Sequence, residues 1–251
     1  MQKKIVVHMY LKNGKAVTGF DGKELLEDGD VMSIAQHYSN NGADELLIFD
    51  LSDDDADHEQ SLNLIRQISR VIDIPMSGGG HIKNLEDVKK LLYAGCQQVF
   101  LNYAKAANIE LTEEVSKRFG KEKIAICTDS FAQLQANKAR VNEYTSRVIL
   151  LCDEVDVRTT ARLVEVPVLP VSTRADRHGL LKLLMLDNIC GVCGDTFSDL
   201  NEDLMAAKLE AKKHGVEINT FESKMSWNEL KLNSDGMIPV VVQDYKNLEV
   251  L

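Results

Sequence analysis

The chain has 251 residues, of which 44% are hydrophobic and 27% are charged, which is the composition of an ordinary soluble globular protein. Its formal net charge of −10 repels polyanions, and basic residues do not cluster with aromatic ones, so nucleic acid is excluded as an expected partner. There is no apolar run near the roughly 18 residues of a membrane span, no signal-peptide pattern, and no disulfide framework among five scattered cysteines. These features predict a cytoplasmic, reduced protein without a membrane partner.

Short β-branched runs alternate with longer amphipathic stretches through most of the chain. Eight strands are predicted, at Ile5–Tyr10, Glu45–Asp50, Ile74–Ser77, Val99–Asn102, Ile124–Thr128, Arg147–Cys152, Val166–Val171 and Ile189–Val192. The helical candidates are Ser61–Val71, Asn84–Ala94, Glu113–Phe119, Phe131–Asn142, Thr160–Glu165, Arg177–Leu186 and Asn201–His214. Such alternation implies parallel strands joined by helices, and eight units imply a closed (β/α)8 TIM barrel of the α/β class.

A weak internal repeat supports the barrel. Three strand segments of the first half match three of the second half in the same order, beginning with Lys4–Val7 and Lys123–Ile126. We therefore expect a barrel built from two half-barrels of four units each.

The pattern changes after about Ser223. Residues Trp227–Leu251 contain β runs separated by turn candidates at Ser234–Gly236 and Asp244–Asn247. The chain stops inside a predicted strand, which would leave an unpaired apolar edge unless the sequence continues or the tail pairs with something else. We expect a barrel over residues 1–222 and the truncated start of a second, incomplete β domain over residues 223–251.

Three consecutive glycines, Gly78, Gly79 and Gly80, follow the third predicted strand. Successive glycines let a backbone approach a ligand closely and turn its N–H groups toward an anion. Ligand sites of TIM barrels lie at the carboxyl ends of the strands. We therefore favour a phosphate site at these glycines over the alternative, a flexible turn.

Two aspartates, Asp50 and Asp129, each lie at the carboxyl end of a predicted strand. A carboxylate at that face can act as a general acid or base if burial raises its pKa. A hydrogen-bonded cap for the following loop explains either residue equally well, so both interpretations stay open.

Two further patterns favour a structural explanation over a metal or redox site. The acidic segment Asp53–Glu59 lacks the glycine turn and closing carboxylate of an oxygen-ligand loop, and acidic residues favour the start of a helix. Cys190 and Cys193 form a lone C-x-x-C without two further zinc ligands, and their spacing on a strand points them to opposite faces. We expect neither a metal nor another cofactor in this chain.

Five blocks of the chain together resemble one barrel family. They are Lys4–Gly19, Asn41–Asp50, Ile74–Gly80, Leu85–Gly95 and Val99–Asn102. The family is that of the cyclase subunit of imidazole glycerol phosphate synthase and its relative, the phosphoribosyl-formimino aminoimidazole carboxamide isomerase. The resemblance is close over residues 1–130 and looser from there to about residue 222.

This resemblance implies roles for individual residues. Gly79, Gly80 and Asn102 would line one phosphate site, and Lys12 would lie near the ligand. Asp129 would match the acid/base aspartate of the family's fifth strand. Asp50 would match an active-site carboxylate on the second strand.

The chain also departs from the family. The other essential aspartate, on the first strand, falls at Tyr10, and a neutral phenol cannot simply replace a carboxylate base near neutral pH. The second phosphate site would need small residues where this chain has Val171–Arg174 and Cys193–Thr196, and Asp195 would repel a phosphate. Because both family reactions use a substrate with two phosphates, one lost anchor removes binding energy that positions the chemistry.

The tail has a resemblance of its own. Residues Trp227–Asp244 resemble the start of phosphoribosyl-AMP cyclohydrolase, another enzyme of histidine biosynthesis. The cysteines that hold that family's zinc lie further along, so any cyclohydrolase activity would belong to sequence after Leu251.

Three functions remain under consideration. The leading one is a catalytically eroded barrel fused ahead of a cyclohydrolase, which binds a phosphoribosyl ligand or phosphate, or acts as a docking or regulatory module. The second is an active isomerase or cyclase in which Asp129 is the main acid/base group. The third is a purely structural or oligomerising barrel. The specific ligand, the formation of homo-oligomers and the docking of a glutaminase partner are left open.

Overall fold

The computed structural model describes residues 2–153, 155–220, 225–243 and 249–250. The chain forms two compact units, Met1–Asn219 and Thr220–Leu251. The first unit holds the barrel, and the second holds the tail.

The described residues of the first unit form ten strands. They are β1 (Lys4–Lys12), β2 (Lys15–Thr18), β3 (Glu24–Leu25), β4 (Glu45–Asp50), β5 (Met76–Gly79), β6 (Gln98–Asn102), β7 (Ile124–Thr128), β8 (Arg147–Leu151), β9 (Val168–Ser172) and β10 (Gly191–Gly194). β1 and β4 to β10 pair in parallel in chain order, and β10 returns to β1, where Val6 lies opposite Cys193. This confirms the predicted closed barrel. β2 and β3 extend β1 as an antiparallel hairpin.

Helices lie between the barrel strands. Those of the described residues are α1 (Val31–Asn40), α2 (Asp55–Val71), α3 (Leu85–Tyr93), α4 (Ala106–Phe119), α5 (Phe131–Ala136), α6 (Lys138–Tyr144), α7 (Val157–Leu163), α8 (Arg177–Leu184), α9 (Asp195–Ser198) and α10 (Leu204–Lys213). α2 begins before the predicted Ser61 because the carboxylate of Asp54 accepts a hydrogen bond from Asp57 N, at 2.9 Å. The predicted helix Phe131–Asn142 divides at Asn137 into α5 and α6.

Side chains that alternate along the barrel strands divide the core into two apolar clusters. The cluster inside the barrel contains Val6, Tyr10, Val17, Leu47, Phe49, Phe100, Ala125, Cys127, Ile149, Leu169, Val171 and Cys193. The larger cluster lies between the strands and the helices and includes Ile5, Val7 and Met9 of β1. On β4, Leu47 and Phe49 therefore face inward while their neighbours face the helix layer. This alternation decides which side chains at the strand ends can reach a ligand.

A buried ion pair lies inside the amino-terminal end of the barrel. The guanidinium of Arg147 binds both carboxylate oxygens of Glu45, and Ser77 Oγ donates to Glu45 Oε1 at 2.8 Å. Lys4 Nζ lies 3.0 Å from Glu45 Oε2. Burial alone would favour the neutral acid, but the charge and hydrogen bonds of Arg147 lower the pKa of Glu45 to about 2. The pair therefore stays charged in the core of the protein.

The described part of the tail contains a 3-10 turn at Trp227–Glu229 and a second turn in which Gly236 N donates to Asn233 O. The second turn confirms the candidate at Ser234–Gly236, with Gly236 at φ +74. The candidate at Asp244–Asn247 lies outside the described residues. Where β runs are predicted, the described residues 225–243 and 249–250 form only an isolated antiparallel bridge between Gln243 and Val250. The cyclohydrolase-like character of the tail stays a prediction.

Across the part of the chain that the structure describes, no helix has the length and apolarity needed to cross a membrane.

Candidate functional site

Two cavities open at the carboxyl ends of the barrel strands. The first, which we call the glycine cavity, measures about 380 Å³. Its lining includes Lys12, Asp50, Gly79, Gly80, Asn102 and Asp129. The structure therefore brings together, around one cavity, six of the residues that the sequence singles out. Gly78 is not among the lining residues.

Close packing requires glycine at the last two positions of β5 and at the residue that follows it. A Cβ on Gly79 would lie 2.3 Å from the ring of Phe100, and one on Gly80, at φ +112, would lie 2.0 Å from Asp50 O. A Cβ on Gly78 would meet Cys96 Sγ at 2.8 Å, on the side of the helix layer. Glycine at these positions is thus explained by neighbouring atoms, and the predicted phosphate role of Gly79 and Gly80 depends on the groups around them.

Polar groups line the glycine cavity on the side of β6. The side-chain oxygen of Asn102 accepts a hydrogen bond from Ala104 N at 2.9 Å. Lys105 occupies the N-cap position of the fourteen-residue α4, and its side chain makes no capping hydrogen bond. The first N–H groups of a helix carry partial positive charge and attract anions when no side chain caps them. Asn102, Lys105 and the start of α4 thus form a polar wall, in which Lys105 supplies a positive charge.

Lys12 also lies in the wall of the glycine cavity, at the end of β1. Its ammonium group is 3.2 Å from the carboxylate of the exposed Asp53. An exposed ion pair of this kind contributes little free energy and is easily rearranged, so Lys12 is available to an incoming anion.

The carboxylate of Asp50 faces the helix layer and not the cavity. Its Oδ2 lies 2.5 Å from His58 Nδ1 on α2, its Oδ1 accepts hydrogen bonds from Ser52 N and Ser52 Oγ, and the side chain is 0% exposed. Asp50 lines the cavity next to Gly80, which its backbone approaches closely. The arrangement supports the capping role that the sequence left open for Asp50, and the carboxylate has no route to a ligand in this conformation.

Two histidines complete this arrangement, and the sequence pattern did not single them out. The rings of His58 and His81 stack with centroids 4.9 Å apart. His81 Nδ1 lies 3.0 Å from Ser52 O, and Nε2 lies 2.8 Å from Asp55 Oδ1. His81 therefore ties the turn after Gly80 to the start of α2. The only signal in the sequence is a histidine directly after Gly80 and another eight residues after Asp50.

Asp129 has a different environment. It directly follows β7. Because side chains alternate along the strand, it faces the barrel interior as Ala125 and Cys127 do. It is exposed in the wall of the glycine cavity. No hydrogen bond or ion pair holds its carboxylate among the described residues. Of the two aspartates at strand ends, Asp129 is the one that can contact a bound molecule.

Tyr10 lies inside the barrel mouth in a group of aromatic rings. Its centroid is 4.7 Å from that of Phe20, 5.4 Å from Phe49 and 4.8 Å from His8. Phe49 in turn lies 5.0 Å from Phe100. Tyr10 is 2% exposed, and burial, followed by the negative charge of Asp195, raises its pKa far above the ordinary value. The phenol is therefore neutral and cannot serve as the carboxylate that the family resemblance implies at this position.

The second cavity lies beside this aromatic group, and we call it the tyrosine cavity. It measures about 350 Å³ and is lined in part by His8, Tyr10, Tyr38 and Asp195. Asp195 Oδ1 lies 3.1 Å from His8 Nε2. At the end of β9, Ser172 Oγ and Thr173 N donate hydrogen bonds to the carboxylate of Asp153, which follows β8. Carboxylates thus lie at both segments, after β9 and after β10, where a second phosphate site would be needed.

The two cysteines of the C-x-x-C both pack on the apolar cluster inside the barrel, so the expectation that they point to opposite faces is wrong, because Cys190 precedes β10. Cys193 is buried in the barrel interior with Sγ 3.3 Å from His8 Nδ1, and burial is the first cause that raises its pKa well above the ordinary value. Cys190 and Cys193 are both free thiols. Among the described residues, no group of three or more His, Cys, Asp or Glu side chains could hold a metal ion.

The fold and the two cavities define a TIM barrel of the class whose ligand sites lie at the carboxyl ends of the strands. The family model described as "Histidine biosynthesis protein" matches residues 4–187. The chain belongs to this family. The resemblance seen in the first-half blocks is thereby confirmed.

Several similar proteins are named imidazole glycerol phosphate synthase subunit HisF. The protein of Flavobacterium psychrophilum is 33% identical over 130 residues, which cover 52% of this chain and 52% of the relative. That of Helicobacter hepaticus is 34% identical over 132 residues, 51% of each chain. That of Haemophilus influenzae is 32% identical over 162 residues, 64% of this chain and 60% of the relative. The chain spans about half the length of the first of these relatives.

Proposed function

We propose that this barrel is a catalytically eroded member of the histidine-biosynthesis family that binds a phosphoribosyl ligand in the glycine cavity. It would act as a ligand-binding, docking or regulatory module. This proposal rests on one observation: two neighbouring parts of the barrel mouth differ in whether the residues that the family resemblance implies are present. Gly80, Asn102 and Lys12 remain around one cavity, while Tyr10 fills the position of an essential aspartate with a buried neutral ring.

The wall of the glycine cavity supports an anionic ligand. The backbone of Gly79 and Gly80 borders the cavity, the start of α4 lacks a side-chain cap, and Lys12 and Lys105 supply positive charge. These groups suit a single phosphate, and the aromatic rings of Phe20 and Phe49 give the same cavity an apolar side.

The second half of the mouth argues against a ligand held by two phosphates. Asp153 follows β8 and contacts the end of β9, and Asp195 begins α9 directly after β10, so a phosphate placed there would meet negative charge. A ligand with one phosphate therefore fits this barrel better than one with two. The proposal requires neither a metal nor another cofactor.

Calorimetry with ribose 5-phosphate, a phosphoribosyl nucleotide and inorganic phosphate tests this function. We expect saturable binding of the phosphorylated compounds, and we expect Asn102→Asp to weaken it at least about tenfold because it places a carboxylate beside the phosphate. Asn63→Asp is the matched control, since exposed Asn63 lies on α2 and contacts Arg66. Loss of binding in both variants, or no binding by the unchanged protein, would contradict the proposal.

An active isomerase or cyclase is the second candidate, because Asp129 is exposed in the glycine cavity without a partner among the described residues. Assays of the two family reactions decide between the candidates. The proposal predicts no turnover above background, and turnover that is abolished by Asp129→Asn would establish an enzyme. Tyr10→Asp tests the erosion directly, since restored turnover would identify Tyr10 as the lost acid/base position.

We also propose that the barrel works next to other components of the pathway. The relatives are named as a subunit of a synthase, which supports a partner subunit for this barrel as well. The likeness of Trp227–Asp244 to the start of phosphoribosyl-AMP cyclohydrolase supports fusion to that enzyme. The coding sequence after Leu251 tests the fusion: zinc-binding cysteines there support it, and an unrelated sequence or a stop codon contradicts it.

A further inference from the structure

The tyrosine cavity is separate from the proposed phosphate site. The loop between β2 and β3 divides the two, because Gly19 lines the tyrosine cavity and Phe20 lines the glycine cavity. The ring of Phe20 packs on that of Tyr10 with centroids 4.7 Å apart. The packed rings of Tyr10 and Phe20 therefore lie between the two cavities.

The inner wall of the tyrosine cavity is largely apolar. Met9, Val17, Leu26 and Leu200 contribute to it, together with the ring of Tyr38. The hydroxyl of Tyr38 is already used, since it donates to Ser198 O at 2.6 Å. A volume of about 350 Å³ with such a wall suits a small organic molecule that has an apolar body.

The rim of the cavity is acidic. Glu27, Asp195 and Asp199 are exposed lining residues, and no lysine or arginine lines the cavity among the described residues. His8 is the remaining lining group that can carry a positive charge, and its Nε2 already faces Asp195 at 3.1 Å. Three carboxylates therefore face at most one imidazolium, so the rim repels anions and attracts cations.

An independent observation at the same wall points to a ligand. Tyr10 is 2% exposed, and its hydroxyl oxygen is buried without a hydrogen-bond partner among the described residues. Buried polar atoms are normally hydrogen-bonded, and an unpaired one often marks the place of a missing partner. Tyr10 is itself one of the residues that line the tyrosine cavity, so the unpaired hydroxyl belongs to a wall residue of this cavity.

We propose that the tyrosine cavity binds a small organic cation, an ammonium group on an apolar body that carries a hydrogen-bonding group. The ammonium group lies at the rim among Glu27, Asp195 and Asp199. The apolar body lies against Met9, Val17 and Leu200, and the hydrogen-bonding group pairs with the hydroxyl of Tyr10. This site lies outside the proposed phosphate cavity and takes a ligand of opposite charge.

Three probes of similar shape test the proposal: phenethylammonium, 2-phenylethanol and 3-phenylpropionate. Titrations of the full chain, followed by amide chemical shifts, are expected to rank the ammonium first and the carboxylate last, with at least a tenfold difference in affinity. Added salt is expected to reduce the preference for the ammonium, because charges at an exposed rim are screened. Equal binding of the three probes, or tighter binding of the carboxylate, would overturn the proposal.

Two charge variants locate the interaction. Asp195→Asn is expected to weaken phenethylammonium about three- to fivefold, the effect of one partly exposed charge, and to leave 2-phenylethanol unchanged. Asp129→Asn removes a carboxylate from the other cavity and is expected to change neither affinity by more than about twofold. If Asp129→Asn weakens the ammonium as much as Asp195→Asn does, general attraction to an acidic protein explains the result and the site is refuted. Tyramine tests the hydrogen bond, since Tyr10→Phe should remove any advantage that it has over phenethylammonium.

Discussion

The ion pair inside the amino-terminal end of the barrel gives the sharpest prediction of stability. In Arg147→Met the apolar side chain fills most of the space of the arginine but leaves Glu45, which is 3% exposed, without its guanidinium. The lowering of the pKa of Glu45 from 4.5 to about 2 corresponds to about 3 kcal/mol of stabilisation of its charged form. Removal of one partner from a buried pair costs about 3–5 kcal/mol in other proteins, so the two magnitudes agree. We expect the variant to lose about 3 kcal/mol of unfolding free energy at pH 7.

The pH dependence of the unfolding free energy gives an independent check that Glu45 stabilises the protein in its charged form. Because the folded-state pKa of Glu45 is lowered, its contribution is complete above the unfolded value of about 4.5 and disappears as the pH falls toward about 2. Between pH 5 and pH 3, the unchanged protein should therefore lose about 2 kcal/mol more than the double variant Glu45→Leu/Arg147→Met. The double variant should also be more stable at pH 7 than Arg147→Met alone, since it removes a buried carboxylate that the single variant leaves with the half-exposed Lys4 as its charged partner.

Equilibrium unfolding in urea, followed by circular dichroism, measures both effects. Arg118→Met is the matched control, because Arg118 is exposed near the end of α4, and its replacement should change stability by less than about 0.5 kcal/mol. A cost below about 1 kcal/mol for Arg147→Met, or a double variant as unstable as the single one, would refute the reasoning.

Three further substitutions follow from the site geometry, each measured by urea unfolding. Tyr10→Phe removes a buried hydroxyl without a partner and should be neutral or stabilising by up to about 1 kcal/mol; a loss above that value would show that the hydroxyl is paired. Gly80→Ala should cost roughly 3 kcal/mol or more, whereas Gly215→Ala, also at positive φ but with open space, should cost only about 1 kcal/mol. His58→Phe leaves the Asp50 carboxylate buried without its imidazole and should cost about 3 kcal/mol; an unchanged stability would contradict the pairing.

The barrel could be predicted from the sequence because its strands are short, almost wholly apolar runs at regular intervals. The segment Ile124–Thr128 is a case in which the predicted and observed strands are identical. The hairpin of β1 and β2 is absent from the predicted strands, although Asn13 and Gly14 between them, at φ +49 and +70, form an Asn-Gly turn that favours a hairpin. α1 was also missed, because its start depends on the Asp30 cap and its apolar face is short.

The two aspartates at strand ends show where prediction of the site reached its limit. Sequence places Asp50 and Asp129 equally well at the carboxyl face of the barrel. Their orientation depends on which residues of a strand face inward, and β4 is buried along its whole length, so its pattern does not distinguish the faces. The structure resolves this: Phe49 faces inward, the carboxylate of Asp50 faces His58 on α2, and Asp129 lines the cavity. Contacts such as that of Asp50 with His58 join separate elements and cannot be derived from local spacing.

The proposed function depends above all on the binding of a phosphorylated ligand at Gly79, Gly80 and Asn102. The most direct test is a titration of the full chain, labelled with ¹⁵N, with ribose 5-phosphate. We expect saturable amide shifts centred on these three residues and on the first turn of α4, with little change at Gly194 beside Asp195. Shifts centred on Gly194, or no saturable shift in a folded protein, would contradict phosphate binding at this site.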